Sequence, residues 1–176
     1  RIANPARISG LNALHYELHQ YQEASIPLLA FTAAFRKVGV TSDVVPDVMI
    51  EHLHREASTC VEIVLLLRGN LRPMRESLLK QLFLNLDDDL DSLVTKESVL
   101  QAFQPDLAGS RVAPMPTERV DDLRRYLSTI SNADDDMMSF AEFAYYWGNI
   151  SATFEDDNSF QFYMWRSFGM QRESAA

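Results

Sequence analysis

The chain has 176 residues, 47% of them hydrophobic and 10% aromatic, and a formal net charge of -9. That content supports one or two packed domains and argues against disorder over most of the length. An acidic chain without a Lys/Arg run is a poor partner for nucleic acid or anionic lipid, and its longest apolar run, Ile63 to Leu67, is far too short to cross a bilayer.

Taken in chain order, the apolar spacing predicts helix throughout. Leu11, Leu14, Leu18 and Tyr21 share one helical face, then Leu28, Phe31, Phe35 and Val38 another, with Gly39 as a stop. Ser42 or Asp43 is the expected cap of a helix through Val48 and Leu53, with Pro46 in its first turn. Glu62 to Arg68 reads as a short apolar helix ended by Gly69 and Pro73. Arg75 to Leu86 carries Leu78, Leu79, Leu82 and Leu86, and Glu97 to Phe103 is another short helix. Gln104 to Pro116, with Gly109 and three prolines, reads as a mobile linker. Thr117 and Glu118 open a helix through Val120, Leu123, Tyr126 and Leu127. Phe140 to Trp147 is strongly aromatic, and Ser159 to Phe168 closes the fold.

Four connections interrupt these helices, each with an apolar residue near its end: Ile26, Val61, Val94 and Met138. The third is the most telling. In Phe83 to Phe103, Asp87, Asp89 and Asp91 alternate ahead of a β-branched Val94, and apolar helical spacing flanks both sides. That is the outline of an EF-hand calcium loop. The expected fold class is therefore all-α. Four EF-hand-like helix-loop-helix units pair into two lobes, residues 1–73 and 74–176, with short β-bridges joining Ile26 to Val61 and Val94 to Met138.

The ligand set is damaged. A calcium loop of twelve residues binds through positions 1, 3, 5, 7, 9 and 12, with Gly at 6 and a bidentate Glu at 12. In the third loop Asp87, Asp89 and Asp91 fill 1, 3 and 5, Leu93 offers its carbonyl at 7, and Thr95 stands at 9. Ser92 takes the turn position that prefers Gly, Ser98 stands at 12, and Glu97 comes one residue early. In the fourth loop Glu142 at 12 places Ser131, Ala133 and Asp135 at 1, 3 and 5; sliding forward gives Asn132, Asp134 and Asp136 but puts Phe143 at 12. The first loop offers His19, Tyr21, Glu23 and Ala30, the second His54, Glu56, Ser58 and Leu65. The expectation is a weak or vestigial calcium site in the third loop at best. The competing structural account is that these carboxylates cap helices and solvate a turn.

In layout the chain resembles the calcyphosin family of four-EF-hand proteins, over roughly residues 11 to 170. The resemblance is carried by Phe31 to Val40, by Leu66 to Met74 with its Arg-Pro-Met connection, by Phe83 to Phe103, and by Phe140 to Ala152 followed by Asp156 to Trp165. The family and related degenerate EF-hand proteins occur widely in cilia and flagella as fixed components of axonemal microtubules. The resemblance thus implies a structural role there, with tubulin or other axonemal proteins as partners.

Other constellations carry less. His15 and His19 have a zinc-compatible spacing, but the run is H-x-E-x-H and not the metalloprotease pattern, and surface histidines are expected. Cys60 allows no internal disulfide, fits a reducing compartment, and reads as a packed small residue. Asn149-Ile150-Ser151 matches a glycosylation acceptor and, with no secretory signal visible, reads as coincidence. No phosphate-cradling loop or nucleophile elbow appears, so an enzyme is not expected. Leu66, Leu67, Tyr145, Tyr146, Trp147, Phe162 and Trp165 are the candidate partner-binding residues, since consecutive apolar residues cannot all face one core. The alternative is that they close over one another.

The expected function is a non-enzymatic interaction protein, largely calcium-independent, built into an axonemal assembly. A calcium-responsive regulator using the third loop is the alternative. The start at Arg1 rather than Met leaves a processed mitochondrial complex subunit as a third reading.

Overall fold

A computed structural model describes residues 10–21, 26–57, 59–103, 118–130 and 136–170. They fall into two units, one within Ser9–Asn70 and one within Leu71–Ala176. Gln104 to Pro116 lies outside the described residues, and with it the expected linker.

The first unit holds α1 (Gly10–His19), α2 (Leu28–Lys37), α3 (Asp47–Glu56) and α4 (Cys60–Arg68). α1 packs against α2 and α4, and α2 against α3. Leu14, Leu18, Ile26, Phe31, Phe35, Ile50 and Ile63 form its core. Phe31 and Phe35, one helical turn apart, bring their rings to 4.9 Å. α2 ends as expected at Gly39, whose φ of +89° lets Val40 N–H reach back to the Phe35 carbonyl. α3 departs from expectation. Its N-cap is Pro46, without a side-chain cap, while Ser42 and Asp43 stay in the preceding turn. The Arg36 guanidinium holds that turn, donating to the carbonyls of Val40 and Val45 and pairing with Asp47.

The bridge expected between Ile26 and Val61 is not formed. Thr59 caps α4 in a reciprocal box with Glu62, so the helix has already started when Val61 is reached, and Val61 is exposed. The Ile26 carbonyl instead accepts from the His54 imidazole at 2.5 Å.

The second unit holds α5 (Pro73–Leu84), β1 (Leu93–Thr95), α6 (Lys96–Ala102), α7 (Glu118–Leu127), β2 (Met137–Ser139), α8 (Phe140–Ser151) and α9 (Asp157–Ser167). β1 and β2 pair antiparallel, with Val94 opposite Met138 as the sequence predicts. Both residues are buried, and Lys96 N–H extends the ladder to the Asp136 carbonyl at 2.9 Å. The strands end in helix caps. Thr95 Oγ1 accepts from Ser98 N–H, and Ser139 forms a capping box with Glu142. α5 starts at Pro73, whose missing N–H costs nothing in the first turn, and α9 starts after Asp156, which accepts from Ser159 N–H. α5 packs against α8 and α9, and α6 against α7. Among the described residues the chain is helical with one small antiparallel sheet.

Candidate functional site

The third connection gathers three carboxylates. Oxygens of Asp87, Asp89 and Asp91 lie within 4.8 Å of one another. The backbone brings them together through two residues at positive φ, Leu90 at +60° and Ser92 at +71°. Neither is Gly, so the turn carries a steric cost of roughly 1–2 kcal/mol at each. Side chains hold it in place. Asp87 Oδ2 accepts from Ser92 N–H at 3.0 Å, and Asp91 Oδ1 accepts from Leu93 N–H at 2.8 Å.

Asp87 is 3% exposed, and its Oδ1 is buried with no hydrogen-bond partner among the described residues. A buried carboxylate oxygen left without a donor is costly. A hard divalent cation at the Asp87–Asp89–Asp91 cluster would satisfy it, and three carboxylate donors are the right chemistry for one. The remaining candidates contribute less. Thr95 Oγ1 is engaged with Ser98, whose hydroxyl lies 2.6 Å away, so both side chains serve the start of α6. Leu93 sits in β1 opposite Ser139. The donor set fits a cation but lacks the bidentate carboxylate that tightens one.

The other connections offer no comparable cluster among the described residues. In the fourth, Glu142 Oε2 accepts from Ser139 N–H at 2.8 Å and Oγ at 2.7 Å, which commits it to the cap of α8. Residues 131–135 lie outside the described residues. Only 57–59 separate α3 from α4, too few for a twelve-residue loop; His54 and Glu56 lie in α3 and Leu65 in α4.

The candidate partner residues divide. Leu66 and Leu67 on α4 are exposed, as is Phe162 on α9, and Trp165 is partly buried. Tyr146 and Trp147, expected at an interface, are instead in the core, at 1% and 0% exposure. Tyr146 donates to Asp122 and packs on Tyr126 at 4.9 Å, while Tyr145, half-buried, stacks with the same ring at 6.1 Å. Trp147 meets Phe103 and Phe168 at 5.1 and 5.2 Å. The three consecutive aromatics find separate partners: Tyr145 and Tyr146 meet Tyr126 of α7, and Trp147 meets Phe103 and Phe168.

Sequence spacing missed a second buried group. His15, expected at the surface, is 4% exposed beneath α4, and its Nδ1 lies 3.8 Å from the Cys60 thiol. Burial first, and then the neighbouring His19, lowers its pKa from 6.5 to about 4. Burial likewise pushes the Cys60 thiol up, so both groups are neutral at pH 7.

No family model matches the chain, and no curated protein matches it. No helix among the described residues is long and apolar enough to cross a membrane.

Proposed function

We propose that the chain is a non-enzymatic EF-hand-type interaction protein, a permanent subunit of a larger assembly, with ciliary or flagellar axonemal microtubules as its setting. The observation that carries the EF-hand reading is the Val94–Met138 bridge, which joins two helix-flanked connections just before each exit helix. The helix starts that follow it are held by their own side chains. Ser98 and Glu142, at the two positions where calcium would demand a carboxylate, serve helix caps. A lobe held in one state by such caps needs no calcium switch to present a surface. The exposed Leu66, Leu67 and Phe162 are the side chains offered to partner chains. The axonemal setting rests on the resemblance in layout to the calcyphosin family. Imaging of the tagged full-length protein in ciliated cells tests it: the signal should follow the axoneme and survive detergent and calcium chelation. A signal in mitochondria, or one released by chelator, would overturn the reading.

A second reading has its own support. The buried, unpartnered Asp87 Oδ1 beside Asp89 and Asp91 favours a weak calcium site in the third loop. With three carboxylates and no bidentate Glu, its affinity belongs toward the weak end of the range for such loops, roughly 10⁻⁴–10⁻³ M. Calorimetric titration should give heat in that range that disappears in Asp87→Asn. Heat retained by Asp87→Asn would reject the site.

A further inference from the structure

α9 fills an apolar groove of its own unit. Phe160 and Met164 are fully buried. Phe168, one turn on, meets the rings of Phe103, Phe143 and Trp147 at 5.9, 6.1 and 5.2 Å. The three anchors recur every four residues, which is how a separate amphipathic helix seats in a groove. The polar end of this seat is Asp157, held by two guanidiniums: Arg72 donates to its Oδ1 at 3.1 Å alongside Arg75. Arg75 on α5 is buried, stands 5.4 Å over the Phe160 ring, and donates to Asp157 Oδ1 at 2.7 Å. It also donates to the carbonyls of Ser151 and Phe154. Two of its contacts belong to α9, the Asp157 carboxylate and the Phe160 ring. Both carbonyls precede α9, one on α8 and one in the connection, so undocking α9 need not strand the buried charge that would otherwise forbid it.

From this we infer that α9 is a built-in ligand of the groove, displaceable by a partner helix that repeats its pattern. The pattern is a carboxylate three residues ahead of the first of three bulky apolar anchors spaced four apart, as in Asp157, Phe160, Met164 and Phe168. The inference rests on reading the chain as an interaction protein and adds the regulation of its docking site.

Hydrogen exchange on the full-length chain tests the latch without any partner. α9 amides should exchange by local opening, faster than those of α5 and α8. Asp157→Asn should accelerate α9 exchange by about tenfold and leave α5 and α8 unchanged. A labelled peptide spanning Phe154 to Met170 should bind Asp157→Asn more tightly than the unaltered chain, by a similar factor, because the groove is free more often. Asn158→Ala, on the exposed face of α9, should change neither quantity. Three results would each overturn the inference: α9 exchanging together with α5 and α8 in both proteins, equal acceleration by Asn158→Ala, or no peptide binding despite accelerated exchange. Failure to find an axonemal partner would count against the proposed function and leave the exchange result standing.

Discussion

His15 shows how far a single residue's environment can depart from its sequence context. The H-x-E-x-H run gives helical spacing and nothing more; the burial comes from Cys60, 45 residues away, on α4. Its folded pKa, about 4, lies below the ordinary 6.5, so the unfolded chain takes up a proton that the folded one refuses. The stabilisation from neutral His15 is therefore complete above pH 6.5 and is lost as pH falls from 6.5 to 4, by up to about 3 kcal/mol. Urea denaturation between pH 7.5 and pH 4 should show this slope in the unaltered chain and a flatter one in His15→Gln. Ser92 presents the opposite case, since its misfit is visible in the sequence. At a φ of +71° it bears a Cβ where Gly would be unstrained, and Ser92→Gly should raise stability by about 0.5–1 kcal/mol in chemical denaturation. No change, or a loss, would mean that the turn relaxes around serine.

At the level of elements, boundaries follow caps more than hydrophobic spacing. Val94 and Met138 are legible as bridge partners from their place near the end of each connection, and each directly precedes the Thr or Ser that caps the next helix. Val61 follows such a cap instead. Thr59-x-x-Glu62 is a capping box written in the sequence, and it starts α4 too early for a bridge. Thr59→Ala and Ser139→Ala should each cost about 1 kcal/mol. A value near zero for Thr59→Ala would show that packing against α1, and not the cap, sets the start of α4. The aromatic run at Tyr145 to Trp147 is legible as important, with interface and mutual closure both open to the sequence, and Tyr146 and Trp147 are in the core. Trp147 is covered in part by Phe168, just past the end of α9, and the sequence separation of the two hides that contact. Trp147→Ala should cost roughly 3–5 kcal/mol, whereas Leu66→Ser should stay within about 0.5 kcal/mol.

For the molecule as a whole, the division into two units predicts two unfolding transitions. Calcium should shift only the transition of the unit containing Asp87, by about 2.7 kcal/mol at a hundredfold excess over the dissociation constant, and acid between pH 6.5 and 4 should shift the one containing His15. Parallel shifts of both would mean that the units unfold as one. The acidic balance is legible from composition; the sequence reading places a lobe boundary after residue 73, and the contacts divide the chain after Asn70. Both tryptophans, Trp147 and Trp165, belong to the second unit, so selectively excited tryptophan fluorescence follows that unit alone. The first has a chemical counterpart already in place. Cys60 is the chain's single cysteine, packed against His15 and held as the unreactive thiol. A maleimide can reach it only when α4 lifts away. At saturating reagent the alkylation rate therefore becomes the opening rate of that helix, a clock set without engineering any residue.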